Sequence, residues 1–237
     1  MNSNSLVPFI RKMRFERLPE AAIELFARFY EQMAAGSGSI IPESTLTPVE
    51  PGQLESLENL QPYRAQGEEA LEKTVVAKLN GGLGATMGVD GPKSLFEAKE
   101  GLSFLDIITG QVRHMNRKRG LDMPLLLMNS FFTDPATTEA LRSYLDHAPI
   151  FSFVQHKFPK VLAATLEPAL APGNRLLEWN PAGHGDFLLS IKTSGMFERL
   201  VNAGYRYLFV SNIDNLSARL DSAILGYLHS ERLDFDL

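Results

Sequence analysis

Between Leu18 and Gly36, apolar residues at Ile23, Phe26, Ala27, Tyr30 and Met33 recur with helical spacing, so the N-terminal segment 1–36 is expected to carry an amphipathic helix that stops at Gly36. From 37 to about 72 no period persists. Pro42, Pro48, Pro51 and Pro62 stand there among serine, glutamate and glycine, which predicts an extended connector. Beyond it, over 73–237, short apolar runs alternate with helical stripes. Thr74 to Leu79 reads T-V-V-A-K-L, a buried strand that stops at Asn80 and a glycine cluster. Ser103 and Asp106 resemble a capping box ahead of a stripe at Leu105, Ile108, Val112 and Met115 that closes near Gly120. A strand at Pro124 to Met128, a helix from Pro135 to Leu145 and a strand at Ile150 to Val154 come next. A helix over Asp186 to Val201, a strand at Tyr205 to Val210 and a last helix with Leu220, Ile224, Leu225 and Leu228 complete the pattern. Such alternation predicts an α/β fold built on a doubly wound, mostly parallel sheet.

Composition narrows the partners more than the fold. With 44% hydrophobic residues in 237, the chain can bury a sizeable core. Lysine and arginine number 23 against 28 acidic residues, without long runs of one sign, which argues against nucleic acid as a partner. A small polyanion is still a suitable ligand, because it needs only a local cluster of amides and lysines. The absence of cysteine excludes disulfides, thiolate metal sites and a cysteine nucleophile, and suits a reducing cytoplasm. No apolar run approaches the roughly 18 residues of a membrane span. The opening M-N-S-N-S-L-V-P-F-I-R-K lacks a signal-peptide core, so a soluble, cytoplasmic protein without membrane contact is expected.

In an open α/β sheet, ligands sit beyond the carboxyl ends of the strands, and three loops there stand out. The first runs from Leu79 to Ser94, L-N-G-G-L-G-A-T-M-G-V-D-G-P-K-S. Its glycines Gly81, Gly82, Gly84, Gly88 and Gly91 let backbone amides approach phosphate oxygens, and Lys93 adds a charge. Neither the dinucleotide fingerprint nor the P-loop fits: Met87 stands where the former needs glycine, and Pro92 separates Gly91 from Lys93. The second loop, Gly183, His184 and Gly185, leaves an imidazole exposed between two glycines behind Trp179 and Pro181. In the third, S-N-I-D-N at Ser211 to Asn215, Asp214 is placed at a strand end as a Mg²⁺ ligand would be. The alternative for Asp214 is an Asx turn or the N-cap of the following helix. His114, His147, His156 and His229 are read as structural.

Six blocks follow one another along the chain: K-L-N-G-G-L-G-A-T-M-G with G-P-K-S, S-F-L-D at Ser103, L-M-N-S-F at Leu127, F-V-Q-H-K-F-P-K at Phe153, W-N-P-A-G-H-G-D at Trp179 and F-V-S-N-I-D-N-L at Phe209. In content and order they resemble the UDP-glucose pyrophosphorylase family. The resemblance implies a Rossmann-like nucleotidyltransferase sheet that converts UTP and glucose-1-phosphate into UDP-glucose and pyrophosphate with Mg²⁺. It also implies a nucleotide site of Leu79, Gly81, Gly82, Lys93, Met128, Gln155, Gly183, His184, Asn212 and Asp214. Within it, backbone at Gly81 and Gly82 and the amide of Gln155 read uracil, Met128 with Asn129 lines the base pocket, and Gly183 lies by the base. Lys93 and His184, the catalytic candidates, meet the phosphates, and Asp214 is the metal ligand. Two positions depart from the family pattern: Ala182 replaces a second proline, expected to loosen that loop, and Ile213 stands where serine is common. The neighbouring UDP-N-acetylhexosamine pyrophosphorylases carry G-T-R-L-G, whereas Gly84, Ala85, Thr86, Met87 and Gly88 occur here. In the family the chain continues into sugar-binding residues, a second functional lysine and a β-helix, so a catalytically silent uridine-nucleotide-binding subunit is the alternative of a different class. L-D-F-D-L at Leu233 to Leu237 reads as a strand just beginning, so the sheet is expected to be incomplete, with an unpaired edge that favours self-association.

Overall fold

The computed structural model describes residues 5–36, 40–83, 91–144 and 149–233. Two compact units emerge, one of residues 1–48 with 155–193, the other of 49–154 with 194–237.

In the second unit, β1 (Thr74–Asn80) is buried at almost every position, as an interior parallel strand must be. It pairs on one side with β4 (Leu125–Asn129), which pairs in turn with β5 (Ile150–Val154), and on the other with β8 (Tyr207–Asn212); all pairings are parallel. The order β5-β4-β1-β8 means that the chain winds outward from β1 one way and then returns to its opposite side. The mostly parallel α/β architecture read from the alternation is therefore present. Between β1 and β4 lie a short hairpin of β2 (Glu97–Lys99) with β3 (Leu102–Ser103), which no alternation announced, and α4 (Phe104–Arg119). The capping box is formed: Ser103 Oγ accepts from the Asp106 amide at 3.1 Å, and Asp106 Oδ2 accepts from the Ser103 amide at 2.8 Å. Gly120 closes the helix in the left-handed conformation, at φ +66°. Leu105, Ile108 and Val112 of α4 pack on Val76, Leu125 and Leu127, each fully buried aliphatic side chain contributing roughly 1.5–3 kcal/mol.

Two expectations about the helices are corrected. The connector is not extended throughout, since α3 (Arg64–Ala70) forms within it behind a 3₁₀ turn that starts after Leu60. Helix α3 is held by α8 (Ser222–Glu231), and both are small where they cross. A Cβ added at Gly67 would lie 1.7 Å from Ser222 O, and one at Gly226 would lie 1.9 Å from Tyr63 O. The helix read as Asp186 to Val201 is two helices, α6 (Phe187–Thr193) and α7 (Met196–Asn202), because Gly195 turns the backbone to φ +75°. Helix α5 (Asp134–Leu141) ends in a 3₁₀ turn through Tyr144, and the expected terminus at Leu145 falls outside the described residues.

The first unit is organised by aromatics. Helix α1 (Val7–Phe15), which the periodicity did not reveal, and α2 (Glu20–Ala34) join through Phe9, whose ring centroid lies 5.3 Å from Phe26 and 5.0 Å from Tyr30. Phe26 also meets Phe158 of β6 (Lys157–Pro159), which pairs antiparallel with β7 (Trp179–Pro181). Lys12 and Lys157 stand 5.3 and 4.6 Å from the Trp179 ring, and Lys12 is paired with Glu178.

Gly67→Ala or Gly226→Ala is expected to lower the unfolding free energy by about 1–3 kcal/mol through overpacking. Gly110→Ala in α4, where a Cβ would meet nothing within 4 Å, is expected to raise it by up to about 1 kcal/mol. Urea midpoints at unchanged m-value decide this. A Gly67→Ala protein as stable as its parent would show that α3 and α8 do not cross so closely.

Candidate functional site

The strand order puts a topological switch point between β1 and β8, where the outward and returning connections diverge and their following loops lie side by side. After Asn80 the chain passes Gly81 and Gly82, and it returns through a bridge of Leu83 with Pro92 and a bond from the Lys93 amide to Gly82 O at 3.2 Å. The intervening Gly84 to Asp90, including Gly88 of the expected phosphate loop, lie outside the described residues. The stem of Lys93 runs past Gly82, its Cδ and Cε 3.7 Å from where a Cβ would sit. Its ammonium donates to Asp214 Oδ2 at 3.2 Å. The two charged residues expected to act on phosphate and metal are thus brought together from separate strand ends.

The alternative roles for Asp214 belong to its neighbours. Asn215 Oδ1 accepts from the amides of Ser217 and Ala218 at 3.2 and 3.1 Å, making the Asx turn, and Asp221 caps α8 by accepting from Ala223 N at 2.7 Å. Ile213, where serine is common in the resembling family, is a core residue packed with Leu105 and Leu127, and its amide bonds Leu79 O at 3.2 Å. An apolar side chain here anchors the loop and leaves Asp214 facing Lys93. Leu79 lies in register with Asn212 on one side and with fully buried Met128 on the other. Beside them Asn80 Nδ2 donates to Asn129 Oδ1 at 2.8 Å, and Thr133 Oγ1 donates to Asn80 O at 2.7 Å. Buried and mutually bonded, these groups fix the strand ends.

Sequence reasoning passed over Lys78. Only 2% exposed in the middle of β1, its ammonium donates to Ser211 Oγ at 2.6 Å and to Ala218 O at 3.4 Å, tying both ends of the Asp214 loop to the central strand. Burial pushes its pKa down to about 8. The signal was available as the one charge in an apolar run. Lys78 and Phe209 also line a cavity of about 740 Å³ against α4, but none of the expected site residues does, so we do not place the candidate site there.

In the first unit, Gln155 follows directly on β5 and is buried; its Oε1 accepts from the Gly183 amide at 2.6 Å. The two residues expected near the base are therefore in contact, and the glutamine carbonyl is satisfied by backbone, the arrangement that a purely structural strand-end glutamine would also show. Gly183 adopts φ +95°, and His184 opens a 3₁₀ turn with its side chain exposed. Ala182, expected to loosen this loop, supplies what proline could not: its amide donates to His156 O at 3.0 Å. His156 Nδ1 and its backbone amide both bond the buried Asp186 carboxylate, at 2.8 and 2.7 Å. Among the described residues no group of three or more histidines and carboxylates could hold a metal, and no helix is long and apolar enough to cross a membrane.

Parallel strands that send a glycine turn, an ammonium and a carboxylate out of one end make this an α/β protein with its candidate site at the switch point. The chain belongs to the UTP–glucose-1-phosphate uridylyltransferase family, whose model matches residues 23–237. An Encephalitozoon cuniculi UTP–glucose-1-phosphate uridylyltransferase is 44% identical over 170 residues, 72% of this chain and 34% of the relative. The potato (Solanum tuberosum) enzyme of that name is 43% identical over 69% of this chain and 35% of its own. A UDP-glucose pyrophosphorylase from Leishmania major, solved in open and closed forms, superposes with TM-score 0.87 at 36% identity, over 99% of this chain and 49% of that one. The chain thus spans less than half the length of these relatives.

The depressed pKa of Lys78 gives stability a pH dependence. Folded Lys78 releases its proton near pH 8 and the unfolded residue near 10.5, so its contribution is fully present above about 10.5 and is lost as pH falls through about 8. The wild-type protein is expected to gain stability relative to Lys78→Met across that window and to run parallel to it below. Urea unfolding of both proteins at pH 7, 9 and 10 measures the difference, and parallel curves throughout would show that Lys78 is not desolvated.

Proposed function

We propose that this chain provides the uridine-nucleotide site of a UTP–glucose-1-phosphate uridylyltransferase. One observation carries the reading: Lys93 and Asp214, from the loops after β1 and β8, meet 3.2 Å apart at the switch point of the sheet. Partly exposed and open to solvent, such an ion pair contributes little stability, about 0–1 kcal/mol, so nucleotide can take the lysine at small cost. A solved single-substitution mutant of the Leishmania major UDP-glucose pyrophosphorylase in complex with UDP-glucose, 36% identical over 98% of this chain, supports the choice of ligand.

In the proposed reaction an oxygen of glucose-1-phosphate attacks the α-phosphorus of UTP in line, the bond to the bridging oxygen breaks, and pyrophosphate departs with that electron pair. Lys93 and the amides at Gly81 and Gly82 hold the nucleotide, Gln155 and Gly183 read uracil, and the exposed His184 faces phosphate. Leu79, Met128 and Asn212 shape the floor at the strand ends. A single carboxylate suits Mg²⁺ whose other oxygens come from phosphate and water: Asp214 would hold the ion, which neutralises charge on the phosphates. The work of the chain is positioning and charge neutralisation.

The outer edge of β8, with Leu208 and Val210 exposed, is the proposed surface for self-association. Sedimentation that stays monomeric at every concentration would remove it.

Calorimetric titration tests the site itself. UTP with Mg²⁺ is expected to bind more tightly than ATP, and equal affinities would sink the uracil assignment. Lys93→Ala is expected to weaken UTP about 10- to 100-fold while leaving uridine nearly unchanged, and equal losses would make Lys93 structural. Asp214→Asn is expected to abolish most of the Mg²⁺ dependence of UTP binding, and an unaltered dependence would return Asp214 to a purely local role.

A further inference from the structure

Asp186 closes the W-N-P-A-G-H-G-D block, yet no role has so far fallen to it or to His156. The Asp186 carboxylate is 3% exposed. It takes two donors from one residue: the His156 amide at 2.7 Å, and ring Nδ1 at 2.8 Å to Oδ1 and 3.0 Å to Oδ2. The far nitrogen, Nε2, lies 3.0 Å from Thr193 Oγ1. Carboxylate, imidazole and hydroxyl thus stand in the order of a nucleophile triad. However, the Thr193 hydroxyl also lies 3.0 Å from Leu189 O, one turn back in α6, which directs its single hydrogen into the helix. The arrangement is a brace.

What it braces is the turn that presents His184. Ala182 N bonds His156 O at 3.0 Å, Gly183 N bonds Gln155 Oε1 at 2.6 Å, and Asp186 N bonds Gly183 O at 3.1 Å. The chain is held at 182 and 183 before His184 and at 186 after it, leaving His184 and Gly185 as the exposed pair between fixed points. An exposed imidazole on a fixed backbone meets a ligand without first losing backbone freedom.

We propose that His156 and Asp186 are positioning residues that hold His184 against the phosphates of a bound uridine nucleotide, an inference that rests on the function proposed above. His156→Ala keeps the backbone bond to Asp186 but removes the ring. His156→Asn restores a donor near the place of Nδ1 and should rescue. The first readout needs no nucleotide: hydrogen exchange at the His156 and Asp186 amides is expected to quicken about tenfold in His156→Ala and to return toward the parent rate in His156→Asn. The second is calorimetric: His156→Ala should weaken UTP about tenfold, the order of loss when a partner that orients a ligand is removed, with uridine affected less than twofold. Unchanged exchange overturns the brace. Equal losses for UTP and uridine, or no loss for UTP, overturn the positioning role while leaving the nucleotide reading intact. Failure of the unsubstituted chain to bind UTP overturns the nucleotide reading and the role in phosphate positioning together.

Discussion

Parallel pairing of β1 on both sides is the constraint on which the rest depends. Parallel neighbours can be joined only by long crossovers, so every strand of the sheet delivers its following loop to the same end. With β4 on one flank and β8 on the other, the last residues of β1 have a partner in each direction: Asn80 beside Asn129, and Leu79 between Met128 and Asn212. The Lys93–Asp214 pair exists because two loops far apart in sequence are set down a strand's width apart. Moving β8 to the other edge of the sheet would leave the same residues in the chain and no site.

The charges inside this frame divide into three kinds. Asp106 and Asp221 serve helix starts, where a carboxylate satisfies amides that the helix leaves unpaired. Asp186 is buried and fully engaged by one histidine. Asp214 is partly exposed and shares its oxygen with a lysine that is also partly exposed. Only the last is paired weakly enough to exchange its partner for a ligand at little expense. Lys78 sits at the other extreme, a cation in the middle of the sheet whose bonds go to a hydroxyl and a carbonyl, without a carboxylate among them.

Local rules were legible in the sequence to the extent that local physics decides them. The capping box, the stop at Gly120 and the buried run of β1 involve residues within a few positions of one another, and all appear as read. Helices α1 and α3 were not legible. Each is short, with two buried residues apiece, Phe9 and Met13 in one and Gly67 and Ala70 in the other, too few to set up a period. The break at Gly195 was hidden because the apolar stripe runs through it on both sides. Among Asp214, Asn215 and Asp221, all suited to turns and caps, the division of roles becomes visible only through a lysine 121 residues away. The partnership of His156 with Asp186 likewise spans 30 residues and has no local signature.

The close crossing of α3 and α8 has a kinetic side. Ser222 on α8 bonds Glu68 on α3, 154 positions apart in sequence, and the glycines on both helices admit no substitute for that partner. A seven-residue helix with a central glycine is unstable by itself, so α3 cannot persist until α8 exists. At ribosomal speeds of roughly 5–20 residues per second, that interval lasts on the order of ten to thirty seconds. Throughout it the segment leading into β1 is synthesised but unsecured, open to proteases and chaperones, while the strands that follow are still being made. Helix α8, made well after β1, is therefore the one that locks the entrance to the central strand.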